Sequence, residues 1–164
     1  EAGERVALEI VRNHRLLELF LVKTLEYTWD EVHEEAERLE HVVSPRLVQR
    51  IAEYLGDPRY DPHGDPIPDH EGTIYQRKLT PLADWPLEKA GIVARLRDQS
   101  SEMLRYLDGK GLVIGSPLTV QGRDPFDGPL TLLVNGQEQV IGSKVARHVL
   151  VAPEGVHIDY EEDA

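Results

Sequence analysis

The chain of 164 residues contains no cysteine. This absence excludes disulfide bonds, thiolate zinc sites and cysteine nucleophiles, and it fits a reducing compartment. The sequence also lacks a signal-peptide pattern and any apolar run of about eighteen residues, which a membrane-spanning helix would need. We therefore expect a soluble, cytoplasmic protein with no membrane segment.

Basic residues are scarce: 18 lysines and arginines stand against 30 aspartates and glutamates, for a formal net charge of −12. No basic patch interleaved with aromatic residues is present, so this chain should be repelled by nucleic acid, and DNA contact would need a separate basic element. Abundant carboxylates suit the binding of hard divalent cations, although a merely soluble acidic surface is their commoner meaning.

Motifs of catalysis are missing as well. The sequence has no glycine-rich phosphate loop, no serine or threonine suitably placed beside a histidine and an aspartate, and no carboxylate pair in an apolar setting. A metallohydrolase with a dinuclear His/Glu site remains an alternative, but no spare general base is evident. We expect that the protein is not an enzyme.

The most informative stretch of the sequence is WDEVHEEAERLEHVVS, residues 29–44, which predicts one helix. Thr28 and Asp30 are both plausible N-caps, and Thr28 with Glu31 has the spacing of a capping box. Apolar residues recur every three or four positions and form a stripe: Trp29, Val32, Ala36, Leu39 and Val43.

Four polar residues of this helix share one flank: His33, Glu37, Glu40 and His41. At 100° per residue they fall within about 100° of each other. Two imidazoles and two carboxylates are costly to bury unpaired, and a divalent cation removes that cost because neutral histidine and ionised glutamate are its ligands. The alternative is an acidic, solvated helix with ordinary i,i+4 polar pairs.

Two further helices flank this one. The first covers about residues 4–27, and it carries His14 and Glu18 on its apolar face, where both need a polar partner or a metal. Another covers residues 44–55, with Ser44 as its N-cap, Pro45 at its first position and a glycine stop at Gly56. Because the first helix opens the chain with almost no lead-in, we expect a domain to precede it in the natural protein.

The segment 57–90 is rich in proline and should lack regular structure. Acidic and imidazole side chains are concentrated in ten of its residues: Asp61, His63, Asp65, Asp69 and His70. A rigid loop of this kind could deliver ligands to a site on the helices, and the alternative is an ordinary polar linker.

From Gly91 the apolar pattern changes to period two, which predicts a strand in which Ile92, Ala94 and Leu96 share one face. A short helix ending at Gly109 follows, and Asn135-Gly136 predicts a type I′ hairpin. Five short strands with one short helix indicate a small β-barrel, so the fold class is α+β. The predicted organisation is a helical domain over residues 1–56, a linker over 57–90, a barrel over 91–158 and an acidic tail over 159–164.

Three motifs in succession, NHRLLE, VHEEAERLEHVVS and DPHGDPIP, resemble the metal-dependent repressors of the diphtheria toxin repressor class. In that family a winged helix-turn-helix DNA-binding domain comes first, followed by a helical metal-binding and dimerisation domain and an SH3-like β-barrel. The resemblance covers most of the chain and implies that it corresponds to the last two parts, with the DNA-binding domain missing from it.

The resemblance assigns metal ligands by position. Glu37, Glu40 and His41 match the family's regulatory site, and the ancillary site is matched by another three residues: His14, Glu18 and His33. His14 joins the regulatory site in some members. Position 37 is cysteine in iron-sensing members and glutamate in manganese-sensing ones, so the resemblance implies Mn²⁺, with Fe²⁺ as the competitor.

Two departures from the family pattern concern the proline-rich loop. Asp61-Pro62-His63-Gly64 stands where the manganese branch often has Cys-Pro-His-Gly, and a site from Glu18, Asp61 and His63 therefore stays open. The iron branch's anion site is not expected, because aspartates occupy its positions. The barrel of the family can add ligands from the start of its short helix, for which the matching candidates are Asp98, Gln99 and Glu102.

The function implied is the metal-sensing and dimerisation part of a Mn²⁺- or Fe²⁺-dependent repressor that controls metal homeostasis. Such a protein acts as a homodimer and binds its DNA operator through another domain. The alternative is a stand-alone metal-sensing module that acts through protein contacts without DNA.

Overall fold

The computed structural model describes residues 2–155, so the predicted acidic tail lies outside the described residues. These residues form five α-helices: α1 (Ala2–Leu25), α2 (Val32–Leu39), α3 (Pro45–Tyr54), α4 (Ser101–Gly109) and α5 (Ser143–Ala146). They also form six strands: β1 (Thr80–Pro81), β2 (Ala90–Leu96), β3 (Pro117–Arg123), β4 (Leu130–Val134), β5 (Gln137–Ile141) and β6 (Val149–Pro153). The predicted α+β class is confirmed. The chain divides into two compact units, one up to Arg77 and the other from Lys78.

The first unit is built on α1, which contributes to the core through its carboxyl-terminal half. The buried residues of this helix begin only at Leu16, and they include a carboxylate: Leu16, Leu17, Glu18, Leu19 and Leu21. Val32 and Ala36 of α2 are fully buried and α3 adds its own apolar face. The predictions of the first and third helices are therefore confirmed.

The helix α3 begins where its capping residues predict. The Ser44 hydroxyl accepts a hydrogen bond from the Leu47 amide at 3.2 Å, and Pro45 occupies the first helical position. The chain leaves the helix at Gly56, which has φ +76° and so adopts the left-handed conformation that glycine tolerates.

The helix α2 is shorter than predicted. It covers residues 32–39 rather than 29–44, and its N-cap is Glu31, not Thr28 or Asp30. The Thr28 hydroxyl bonds the Glu31 carboxylate at 2.6 Å instead of an amide at the helix start, so the predicted capping box does not form. Glu40 becomes the C-cap and His41 lies beyond the helix.

The first unit also takes in residues 57–77, part of the segment predicted to link the two domains. Two arginines on α1 bind this segment through its backbone. Arg12 donates to the Pro68 carbonyl at 2.6 Å, and Arg15 donates to the Pro66 carbonyl. These bonds hold the loop against the helix that carries Glu18.

The second unit is a six-stranded sheet in the order β1-β6-β2-β3-β4-β5, with each neighbouring pair antiparallel. The Asn135-Gly136 turn has φ of +49° and +78°, as a type I′ hairpin requires. The predicted strands and the helix ending at Gly109 are confirmed, whereas β1 and the short helix α5 were not predicted. Two-residue and one-turn elements are too short to leave a periodic pattern.

A β-bulge in β2 changes which side chains face the core. The register against β6 shifts between Val93 and Arg95, and Val93 and Ala94 are both fully buried although they are adjacent. The predicted alternation holds for Ala94 and Leu96, but it is wrong for Ile92, which is only partly buried, and for Val93, which is buried, because a bulge adds one residue and so inverts the alternation.

Gly91 of β2 lies at a position where a side chain would not fit. A Cβ at this position would lie 2.6 Å from Cγ1 of Val151 and 2.9 Å from the indole ring of Trp85. We expect Gly91→Ala to lower the free energy of unfolding by about 1–3 kcal/mol, the usual cost of overpacking. Gly109→Ala is the matched control, because a Cβ there meets nothing within 4 Å. Equal unfolding midpoints in urea for both variants would contradict this account.

None of the described helices is both long enough and apolar enough to cross a membrane.

Candidate metal centre

The first donor cluster joins α1 to α2 and consists of His14, Glu18 and His33. Nε2 of His14 lies 2.9 Å from Oε1 of Glu18 and 3.1 Å from Nδ1 of His33. The remaining pair, Nδ1 of His33 and Oε1 of Glu18, is also 3.1 Å apart. Three ligands of an octahedral ion with bonds of roughly 2.1 Å have edges of about 3.0 Å, so these atoms are spaced as one face of such a shell.

Glu40 orients the imidazole of His14. Its Oε2 accepts from Nδ1 of His14 at 2.6 Å, which leaves Nε2 facing Glu18 and His33. A metal-binding histidine characteristically donates its other N–H to a carboxylate in this way. Without a metal, Nε2 needs a proton to face the Glu18 carboxylate. Burial lowers the pKa of His14, but its bonds to Glu18 and Glu40 outweigh burial and raise it.

The second donor cluster consists of Glu18, Asp61 and His63, and it joins α1 to the proline-rich loop. All three side chains are buried, at 1%, 1% and 0% exposure. Nδ1 of His63 lies 3.7 Å from Oε2 of Glu18, and it has no hydrogen-bond partner within residues 2–155.

The tautomer of His63 is fixed by the backbone. Its Nε2 lies 2.7 Å from the Trp29 carbonyl, which can only accept, so Nε2 carries the proton. The indole of Trp29 stacks against the imidazole, with ring centroids 6.3 Å apart. Nδ1 is thereby directed into the cluster as a ligand atom, held by the carbonyl support common behind metal-binding histidines.

The loop itself is braced around Asp61. One carboxylate oxygen, Oδ1, accepts from the amides of His63 and Asp65, both at 2.9 Å. The Asp61 amide donates to the Asp65 carbonyl at 2.9 Å, which closes the turn. These bonds place Asp61 and His63 beside Glu18.

Electrostatics in this cluster favour a cation. Burial raises the pKa of Asp61 to about 7, and the nearby Asp65 charge adds to the effect. Burial opposes a charge on His63, but the carboxylates of Glu18 and Asp61 outweigh it and raise the pKa of His63 to about 9. Burial likewise disfavours the Glu18 carboxylate, yet His14 and His63 hold the pKa of Glu18 well below its usual range. Buried carboxylates with imidazoles are a donor set suited to Mn²⁺ or Fe²⁺.

The residues predicted to form the regulatory site are more exposed to solvent than the cluster of Glu18, Asp61 and His63. Oε1 of Glu40 lies 3.1 Å from Nε2 of His41, whose side chain is 66% exposed. Glu37 is exposed on α2 and belongs to neither of the two donor clusters found among the described residues. The structure thus brings Glu40 to both His14 and His41 but leaves Glu37 at the surface.

The three candidates from the barrel lie in the second unit. Asp98 accepts from the Ser100 amide at 3.0 Å, and this bond holds the pKa of Asp98 below its usual value. Gln99 donates to the Leu96 carbonyl at 3.2 Å, and Glu102 is exposed in the first turn of α4. Neither donor cluster of the described residues includes them.

The supporting contacts were not evident from the sequence. Arg15 donates to the Pro66 carbonyl, a partner that its place in the sequence does not reveal. The Trp29 carbonyl, which fixes His63, leaves no signal in the sequence, because a backbone group is present at every position.

Each of the two units matches a known protein family. Residues 1–69 match a family described as "Iron dependent repressor, metal binding and dimerisation domain", and residues 80–153 match the FeoA domain. The iron-dependent repressor IdeR of Mycobacterium bovis is 30% identical over 152 residues, which cover 85% of this chain and 65% of that protein. The diphtheria toxin repressor of Corynebacterium diphtheriae is 38% identical over 147 residues, or 83% of this chain and 63% of that protein.

A solved structure is similar in fold as well as in sequence. It is described as "Manganese-dependent transcriptional repressor complex with manganese", and it is 43% identical to this chain with a TM-score of 0.85. The similarity covers 93% of this chain and 73% of that one. This chain spans about two thirds of the length of the curated repressors that it matches. It belongs to the diphtheria toxin repressor family of iron- and manganese-dependent repressors.

Proposed function

We propose that this chain is the metal-sensing and dimerisation part of a Mn²⁺-dependent transcriptional repressor, with Fe²⁺ as the competing ion. The observation that carries the proposal is the buried cluster of Glu18, Asp61 and His63, in which one imidazole nitrogen has no hydrogen-bond partner among the described residues. Its position in the domain matched as metal-binding and dimerising supports the same role.

The donor chemistry favours manganese over softer ions. Carboxylates and imidazoles supply every ligand of the two donor clusters, and the chain has no thiolate. Hard oxygen donors suit Mn²⁺, whereas thiolates select softer metals. The proposed ligands are His14, Glu18, His33, Asp61 and His63, together with the Glu37, Glu40 and His41 set.

Sensing would operate by linkage. A metal that binds one conformation of the repressor better than another shifts the population towards that conformation, and operator affinity follows. We assign operator binding to a separate DNA-binding domain, because the net charge of this chain is −12. A repressor of this kind works in the cytoplasm and catalyses no reaction.

Dimerisation is assigned to α1 and α3, as parts of the domain matched as dimerising. Both helices expose large apolar side chains: Val6, Ile10, Leu47 and Tyr54. A two-fold dimer would present two DNA-binding domains to the two halves of an operator.

Calorimetric titration of the chain with Mn²⁺ tests the sensor. We expect the native chain to bind Mn²⁺, Glu18→Ala/His33→Ala to lose part of that binding, and Glu37→Ala/His41→Ala to lose a different part. Glu53→Gln, an exposed carboxylate on α3, is the control and should bind as the native chain does. A native chain that binds neither Mn²⁺ nor Fe²⁺ would contradict the proposal.

A further inference from the structure

We propose that the outer edge of β5 is an interaction surface for a second copy of this chain, and that the two copies pair antiparallel along this strand. The sheets of the two copies then become continuous. The inference goes beyond the proposed function and does not rest on it, because β5 belongs to the second unit and both donor clusters lie in the first.

The strand β5 ends the sheet on one side. It is the last strand in the order β1-β6-β2-β3-β4-β5, so no strand among residues 2–155 pairs with its outer edge. The strand at the other end, β1, has only two residues. Edge strands are commonly protected by lysine, proline or a bulge. The sequence of β5, QEQVI, contains neither residue, and its pairing with β4 runs without a register shift. This edge is therefore regular enough to accept another strand.

The register against β4 shows which backbone groups of β5 are already used. Val134 and Gln137 flank the two-residue Asn135-Gly136 turn and so form a hydrogen-bonded pair. Hydrogen-bonded pairs occur at every second residue of an antiparallel ladder, so Gln139 and Ile141 also bond β4. The backbone groups of these alternate residues of β5 are directed inward, towards β4.

The other two residues of β5, Glu138 and Val140, direct their backbone N–H and C=O groups away from β4. Both residues are exposed, Val140 at 48%. Backbone donors and acceptors along a sheet edge are the groups that bind an added strand. The outer edge of β5 thus offers two donors and two acceptors at the spacing of a strand.

The spacing of these groups is self-complementary. When a two-fold axis passes beside Gln139, Glu138 of each copy lies opposite Val140 of the other copy. The two outward donors of each strand then meet the two outward acceptors of the other. The two Gln139 residues face each other as a non-hydrogen-bonded pair. Each carboxylate lies opposite a valine, so no like charges are directly opposed.

The neighbouring registers are poorer. An axis beside Glu138 would set the two Glu138 carboxylates directly opposite each other, which is destabilising. An axis beside Val140 would place Glu138 opposite Gly142, which lies outside the strand. The register centred on Gln139 uses the outward groups of the whole strand without a charge conflict, and this is the reason for assigning the edge to a second copy.

Pairing through β5 is separate from the dimerisation assigned to α1 and α3. A chain that uses both surfaces forms dimers of dimers. Because a strand of five residues buries little surface, the association is expected to be weak and transient. It takes effect where two dimers are already held close together, since proximity raises the effective concentration of the second edge.

A single introduced cysteine tests the register, because the chain contains no other. In the proposed pair the Cα atoms of the two Gln139 residues lie about 4.5 Å apart, a distance that a disulfide spans. The two Gln137 residues are offset by roughly 13 Å along the strand, which is too far. Under oxidation by diamide we expect Gln139→Cys to form a covalent dimer at least about tenfold faster than Gln137→Cys. Gln137 is a matched control on the same face of β5, and it is the more exposed of the two.

A second substitution tests whether backbone pairing brings the cysteines together. Val140→Pro removes an outward N–H from each copy and leaves the hydrogen bonds to β4 in place, and proline is tolerated in an edge strand where the N–H would face outward. Added to Gln139→Cys, it is expected to slow cross-linking to the rate of Gln137→Cys. Circular dichroism checks that each variant is folded.

The cross-linking rates also define the results that would overturn the pairing. Equal rates for Gln139→Cys and Gln137→Cys, or a faster rate for Gln137→Cys, would exclude the register centred on Gln139. Rapid cross-linking of Gln139→Cys that a folded Val140→Pro variant does not slow would show that the edge backbone is not involved. None of these results bears on Mn²⁺ binding, so failure of the pairing leaves the proposed sensor function untouched.

Discussion

Glu18→Gln should abolish most of the stabilisation that Mn²⁺ gives the folded chain. Glu18 is the one residue common to both donor clusters of the described part of the chain, so its loss affects both. A ligand present at 100 times its dissociation constant stabilises the folded state by about 2.7 kcal/mol, and this amount should be largely lost. Glutamine keeps the size of the side chain but removes the charge and replaces one ligand oxygen by an amide nitrogen.

Thermal unfolding with and without Mn²⁺ measures this effect. We expect the native chain to unfold at a higher temperature when Mn²⁺ is added, and Glu18→Gln to respond weakly. Glu53→Gln should respond as the native chain does, because its carboxylate lies on the surface of α3. If Glu18→Gln kept the full Mn²⁺-dependent shift, neither cluster would be a metal site.

The metal-free stability of Glu18→Gln has to be recorded separately. Glu18 is 1% exposed and bonds His14, so the substitution removes a buried charge as well as a metal ligand. Deleting one partner of a buried ion pair can itself cost about 3–5 kcal/mol. The prediction therefore concerns the difference between the loaded and metal-free forms of each variant, which separates metal binding from folding.

Much of the fold follows from local sequence signals. Ser44-Pro45 begins α3, and Asn135-Gly136 forms the turn of the hairpin between β4 and β5. Both could be predicted because the conformations of these residues are determined by their nearest neighbours. The length of α2 could not be predicted in the same way. Its apolar and polar periodicity continues to Val43, but the chain turns after Glu40 to reach the cap at Ser44.

The bulge in β2 escaped prediction for a related reason. Alternation of apolar residues fixes a face only while the register is constant, and the shift at Val93 depends on pairing with β6, which lies more than fifty residues later. Tertiary pairing decides here what the local pattern leaves open.

The candidate site also contains some residues whose proximity follows from local structure and others that only tertiary contacts bring together. His14 and Glu18 lie four residues apart on one face of α1, so helix geometry predicts that this pair is adjacent. The addition of His33, which lies on α2, was implied only by the family resemblance. Asp61 and His63 stand in a loop whose composition fits a linker equally well. Their burial depends on the bonds from Arg12 and Arg15 to loop carbonyls, and an arginine on a helix does not reveal which carbonyl it binds.

The affinity for Mn²⁺ should rise steeply with pH, because a proton occupies the ligand atom of His63 in the metal-free protein. The pKa of His63 is raised to about 9 by the carboxylates around it, despite burial, so at pH 7 Mn²⁺ must displace this proton. Each pH unit below 9 then costs about tenfold in affinity. The pKa of Asp61, raised by burial to about 7, adds a second competing proton below that value.

The stability of the metal-free chain should change in the opposite direction and fall as the pH rises. The pKa of His63 in the folded state lies above the unfolded value of about 6.5, so the protonated imidazole contributes stability that is fully present below pH 6.5. That contribution is lost as the pH rises through about 9. Over this range Mn²⁺ binding strengthens while the metal-free fold loses the contribution of His63. Both changes follow from the loss of the same proton, so the stabilisation by Mn²⁺ grows as the pH rises.

Calorimetric titration with Mn²⁺ between pH 6 and pH 8.5 checks the dependence, and repeating it in buffers of different ionisation enthalpy counts the protons released. We expect about one proton per ion at the His63 cluster near pH 8 and more than one below pH 7. His63→Gln should lose the steep part of the pH dependence, since glutamine does not titrate. An affinity in the native chain that does not change with pH would show that the nitrogen of His63 is not a metal ligand.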